Sequence, residues 1–281
     1  MTAFSAFTLS VYLKMPNVIY GLFSIGLIAL CCALLGVCLV LRRYSLIGDG
    51  LSHVTFGTMA VAAATGVTAI YISLPITVLT AVGLLCASER SKIKGDASVA
   101  MISVGALGLA YLLFSLANGS ATDVCTVLFG TNGVVTMKSS DAILSAALAG
   151  VVVIFYIVFY YKIFAVTFDM PFAQATGVHA KGYNLVFAAL TGIVIVLATK
   201  VVGALLITAL IVFPTVSAMR VFRSFRAVTV CAAVFSVSGA VGGMLLSMLL
   251  NLTPGASIVA VNVIVFAVFS LLSLVIRRKK V

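Results

Sequence analysis

Residues 42–57 read RRYSLIGDGLSHVTFG, a short charged turn held between two long apolar runs. Arg42 and Arg43 end the first run, Asp49 follows six residues after the pair, and His53 comes four residues later at the start of the next. That second run continues through Met59 to Ala64 and reads as a helix. In a helix, positions i and i+4 share one face, so the Asp49 carboxylate and the His53 imidazole converge on one point. Ionisable groups inside a membrane span are costly, and they mark pathways or binding sites. Spacing alone gives equal weight to a buried Asp–His hydrogen bond that only fixes helix packing.

The surroundings of this stretch set the fold class. The 281 residues are 63% hydrophobic and 8% charged, with a mean hydropathy of +1.31. No soluble domain hides that much apolar surface, so the chain reads as an all-α polytopic membrane protein, one transmembrane domain over 1–281. A mixed, mildly amphipathic start ends at Pro16, and nothing in it resembles a cleaved signal peptide. Apolar runs then fall at about 18–41, 48–65, 67–87, 98–117, 141–162, 183–199, 203–222, 227–250 and 256–276. Crossing the hydrocarbon core takes about 20 helical residues, and most of these runs suffice alone.

Charge tests the count. With nine spans and the N-terminus outside, fourteen of the seventeen basic residues fall on the cytoplasmic side, and only Lys14, Lys138 and Lys200 lie outside. Merging two spans would move the cluster at 277–280 outside, against the positive-inside rule. The expectation is therefore about nine spans, eight if one is short or re-entrant, with the C-terminus cytoplasmic. On the same reading the net charge of +11 sets topology and is not a nucleic-acid footprint. Trp is absent, so Tyr and Phe must form any interfacial belt.

Two connections exceed simple turns. The outer segment 118–140 contains VCTVLFG, too short to span, which reads as a re-entrant or interfacial element. The inner loop 163–182 holds a short helix starting at Met170 and Pro171, capped by Asp169 and ended by Gly177. Phe168, Phe172 and Val178 give it an apolar face, suited to docking a soluble partner. His179, in the same loop, reads as solvated or at that interface. Asp123 and Asp141 read as solvated loop carboxylates, and Glu89 and Asp96 as inner-surface partners of the basic residues around them.

Pro214 interrupts the hydrogen-bond ladder of its run, which permits either a gating kink or a purely structural one. The small residues SGAVGG at 238–243 allow close helix approach. The six cysteines form no CxxC pair and read as small buried hydrophobes. There is no GxxxxGK[ST], HExxH or GxSxG stretch, so no catalytic residue is assigned, and any ATP hydrolysis belongs to another subunit. One carboxylate oxygen and one imidazole nitrogen suit Zn²⁺ or Mn²⁺ better than an alkali ion.

LRRYSLIGDGLSH at 41–53 resembles the signature near the first two spans of the permease subunits of bacterial zinc/manganese/iron ABC importers. The resemblance continues through KIKGDASVAMISVGALGLAYLL, VLFG, FDMPFAQATGV and VVGALLITALIVFPTVSA, and covers nearly the whole chain. It implies a multi-pass protein of the bacterial cell membrane that works as a homodimer. Two cytoplasmic ABC ATPases and an extracytoplasmic metal-binding protein would complete the importer. It implies no resident cofactor and no nucleic-acid partner, only membrane lipid around the helices and a transported metal bound transiently by Asp49 and His53. Phe168, Asp169, Phe172, Ala173 and Gly177 match the family's ATPase-coupling segment, and the form SLIGDGLSH leans toward zinc. Two other classes stay open. A secondary, ion-gradient carrier would call for more intramembrane carboxylates and internal repeats. An intramembrane enzyme would call for a second catalytic group near the pair.

Overall fold

The structure is a computed structural model, and it describes residues 15–90, 95–116, 128, 137–250 and 252–278. Among these residues the chain is helical and without strands. α1 (Pro16–Leu41) starts on a proline, whose missing N–H is not needed in the first turn. It ends in a left-handed turn at Arg43 (φ 63°), where the Arg43 amide bonds Val40 O at 3.0 Å and the Tyr44 amide bonds Leu39 O at 2.9 Å. These two bonds satisfy carbonyls that a helix end would otherwise leave open.

α2 (Ile47–Thr65), α3 (Ala69–Arg90), α4 (Gly95–Leu116) and α5 (Ser139–Val158) follow, then the short α6 (Tyr160–Phe168) and α7 (Met170–Ala175). α8 (Ala180–Val202), a 3-10 turn (Ala204–Leu206), α9 (Ile207–Val221), α10 (Phe225–Leu250) and α11 (Pro254–Arg278) complete the bundle. Seven of the helices are long and apolar enough to cross a membrane, and α3 adds a shorter apolar stretch, Ala69–Leu85. The molecule is a polytopic helical membrane protein.

Each apolar run of the sequence lies on a helix, with two adjustments. The 141–162 run divides at Phe159, between α5 and α6. Lys200 does not separate two runs but stays in the last turn of α8; the break comes at Gly203, whose φ of 93° only glycine adopts cheaply. The Lys200 ammonium reaches Asp141 Oδ1 at 2.6 Å, pinning that end of α8 to the first turn of α5. Asp141 is thus an ion-pair partner and not merely solvated.

α1 and α8 are buried along most of their length and form the centre. α10, α5 and α9 pack around α1, α3 packs on α8, and α2 lies between α3 and α4. α11 closes the bundle against α10 and α9. In hydrocarbon, close packing holds helices together, because lipid is as apolar as leucine. Gly243 shows the consequence, since a β-carbon there would sit 2.5 Å from Ile258 Cα on α11.

Candidate metal site

Asp49 lies in the first turn of α2, where unpaired backbone N–H groups favour a carboxylate. His53 follows one turn later, with its Nε2 3.5 Å from Asp49 Oδ1. The second carboxylate oxygen accepts from Ser103 of α4, Oγ to Oδ2 at 3.2 Å. Thr208, in the first turn of α9, approaches the same carboxylate, but too loosely for a hydrogen bond. Two glycines make this convergence possible. A β-carbon at Gly50 would lie 2.8 Å from Val99 Cγ1 of α4, and one at Gly48 2.8 Å from Ile211 Cδ1 of α9. The pair therefore faces a wedge between α4 and α9.

The two groups differ in environment. The Asp49 side chain is 38% exposed, whereas that of His53 is 9% exposed. His53 Nδ1 is buried and has no hydrogen-bond partner among the described residues. An unpaired buried polar atom costs about 1–3 kcal/mol, so packing alone does not explain this histidine. One turn beyond it, fully buried Phe56 meets Phe114 at 5.5 Å and Tyr111 at 6.2 Å between ring centroids. These rings pack one turn beyond His53, toward the C-terminal end of α2. No cluster of three or more His, Cys, Asp and Glu side chains occurs among the described residues. Further donors to a cation here would be hydroxyls, carbonyls, water or a second chain.

The inner-loop segment takes the local form its residues dictate. Asp169 accepts the Phe172 amide at 2.9 Å and caps α7, and Gly177, at φ 82°, turns the chain out of it. Ala173 is fully buried against Val166 and Ala180, while Phe168 and Phe172 are 58% and 61% exposed. Val178 packs on the buried cluster and does not extend the exposed face. His179 is exposed at the start of α8. Pro214 is buried inside α9, which continues through it as one helix. Cys31, Cys32 and Cys38 are free and buried. The 124–130 element apart from Leu128, with Asp123 and Cys125, lies outside the described residues, as do the side chains of Cys86, Glu89 and Asp96.

Ser103 and Thr208 are absent from the residues singled out by sequence, and so is the role of Arg42. Its Nη1 donates to Asn184 Oδ1 at 2.6 Å and its Nη2 to Val166 O at 2.9 Å. The turn leading into α2 is thereby tied to α8 and to the base of the α6–α7 segment.

Helices long and apolar enough to cross a membrane, with an ionisable pair held where α2 meets α4 and α9, define the class as a polytopic membrane protein with an internal polar site, the kind of site that marks a transport pathway. Residues 14–273 match the family model described as the ABC 3 transport family, and the chain belongs to that family. A relative from Halalkalibacterium halodurans, the manganese transport system membrane protein MntC, is 28% identical over 242 residues, covering 86% of this chain and 82% of its own. The manganese import system permease protein ScaB of Streptococcus gordonii is 25% identical over 254 residues, 90% of this chain and 89% of its own. A solved structure described as PsaBC from Streptococcus pneumoniae in complex with Fab has the same fold. Its TM-score is 0.81 at 23% identity, and the match covers 96% of this chain and 95% of that one. The family expected from the motif at 41–53 is the family found.

Proposed function

We propose that this chain is the permease of a bacterial ABC importer for a divalent transition metal, Mn²⁺ or Zn²⁺, with Asp49 and His53 as its intramembrane ligands. The observation that carries the reading is the buried His53 imidazole beside Asp49, with an Nδ1 that has no hydrogen-bond partner among the described residues. Ser103 orients the carboxylate and leaves Oδ1 toward the imidazole, the arrangement a metal needs from its second shell. Two protein ligands hold a cation weakly enough to release it, which suits cargo better than a resident cofactor. The donor set accepts either metal; the names of the relatives favour manganese over the zinc lean of the SLIGDGLSH form.

The chain works as a homodimer in the bacterial cell membrane, with nine spans, the N-terminus outside and the C-terminus inside. An extracytoplasmic binding protein delivers the metal, and two cytoplasmic ATPases seat on the segment formed by Phe168, Asp169, Phe172, Ala173 and Gly177. Movement of that segment passes through Val166 to Arg42 and so to the turn that starts α2. Flexing of α9 at Pro214, where one carbonyl lacks its helical donor, is the accompanying adjustment. The aromatic contact of Phe56 with Tyr111 and Phe114 closes the outer side while Asp49 stays accessible.

The test is ATP-driven uptake by the reconstituted permease–ATPase complex, with zinc and manganese in competition. Uptake of one metal that is lost in His53→Ala supports the reading and names the cargo. Equal uptake by both proteins refutes it.

A further inference from the structure

We propose that the groove between α1, α5–α6 and α10 is a binding site for an anionic phospholipid, with its phosphate on Arg226 and an acyl chain along the apolar wall. The groove has a volume of about 520 Å³. Leu30 and Leu34 of α1, Val153 and Ile157 of α5 and Val230 of α10 line its length. Its mouth is polar at one end only, where Tyr160, Tyr161, Arg226 and Thr229 gather. An amphiphile with one charged end matches that asymmetry.

Two of the polar groups in the wall, Thr229 and Tyr156, are already engaged. Thr229 donates to Phe225 O at 2.9 Å, and Tyr156 contacts Thr229 Oγ1 at 3.3 Å and Cys38 Sγ at 3.8 Å. Arg226, by contrast, is exposed and forms no hydrogen bond or ion pair with a described residue, its electrostatic neighbour being the Tyr160 hydroxyl. With no carboxylate beside it among the described residues, the Arg226 guanidinium suits a phosphate, because its planar fork matches two phosphate oxygens. A second copy of this chain is the poorer occupant. Asp49, Asp141 and Asp169, half of its six acidic residues, are engaged elsewhere in the fold. The groove is lined by α1, α5, α6 and α10 and by none of α2, α4 and α9, the helices around the Asp49–His53 pair. In the proposed orientation Arg226 stands among Lys162, Arg220 and Arg223 on the cytoplasmic side, so the lipid belongs to the inner leaflet.

The site also touches the coupling machinery. Phe225, next to Arg226, meets Tyr160 at 5.6 Å, Phe164 at 5.3 Å and Phe168 at 6.0 Å. A lipid seated at the mouth braces the rings that carry the base of the α6–α7 segment.

Native mass spectrometry of the permease–ATPase complex, with phosphatidylglycerol and phosphatidylcholine in equal amounts, tests this without relying on transport. The wild type is expected to retain phosphatidylglycerol about five-fold over phosphatidylcholine, the ratio expected for one charge contact near a membrane surface. Arg226→Gln should abolish the preference, Arg226→Lys should keep most of it, and Ile157→Trp, which fills the groove, should also abolish it. Equal retention by wild type and Arg226→Gln overturns the site and leaves only annular lipid. A preference lost in Arg226→Gln but kept in Ile157→Trp overturns the groove assignment and leaves a bare surface charge. A change of oligomeric state in Arg226→Gln at unchanged lipid retention hands the face to a second copy.

Discussion

At the scale of single residues, the question is why a buried imidazole has one nitrogen without a hydrogen-bond partner among the described residues, beside a half-exposed carboxylate. A histidine kept only for packing would have both nitrogens satisfied or would be replaced by an apolar residue of similar volume. Asp49→Asn keeps the shape and the Ser103 hydrogen bond but removes the charge a cation needs. It should reduce metal uptake to background, with ATPase association intact by pull-down; undiminished uptake would show that the pair is structural. Ser103→Ala is a subtler test. Ser103 donates to Asp49 Oδ2, and a role in orienting that carboxylate is what this variant tests. Loss of a hydrogen bond that orients a metal ligand weakens metal affinity by about 10-fold, and the change should appear in the half-saturating metal concentration of uptake rather than its maximum.

At the scale of helices, close approach decides which positions tolerate a methyl group. Gly243 faces Ile258 backbone at a distance no β-carbon can occupy, whereas Gly242, its neighbour, has nothing within 4 Å. Gly243→Ala should destabilise the bundle by about 1–3 kcal/mol through forced overpacking. Gly242→Ala should leave it unchanged or add up to about 1 kcal/mol through helix propensity. Thermal unfolding in detergent checks the pair, and equal midpoints would contradict the α10–α11 contact. In the inner loop, Asp169→Ala removes the α7 cap, a loss of about 1 kcal/mol that frays the segment, and ATP-dependent uptake should fall while metal binding to the isolated permease stays. Helices of this kind are legible in sequence because apolar runs and local caps are local properties; the cap at Asp169 and the turn at Gly177 are read from adjacent residues. Ser103 and Thr208 are not legible in this way. A serine or threonine in an apolar span looks the same wherever it points, and only the packing of α4 and α9 around the glycines of α2 brings these two to Asp49. The break at Gly203 is hidden in sequence by Lys200, which reads as a charge between two runs because its ion-pair partner, Asp141, is 59 residues away.

At the scale of the whole molecule, the distribution of charge predicts which surface faces which compartment. The Lys200–Asp141 pair and Lys138 mark one end of the bundle, at the start of α5 and the end of α8. Arg42, Lys162, Lys181, Arg220, Arg223 and Arg226 mark the other, where α1 and α9 end and where α8 and α10 begin. Basic residues resist translocation, so the second end is predicted to face the cytoplasm, together with the proposed coupling segment and the mouth of the proposed lipid groove. Exposed Ser140 and Ser224 lie at opposite ends and allow a direct reading. In intact cells, Ser140→Cys should react with a membrane-impermeant maleimide, and Ser224→Cys should react only after permeabilisation, each judged against the parent chain. Cys31, Cys32 and Cys38 are buried and contribute little background. The inverse pattern would place Phe168 and Phe172 outside, away from any cytoplasmic ATPase. It would remove the coupling role of the α6–α7 segment while leaving the Asp49–His53 geometry untouched.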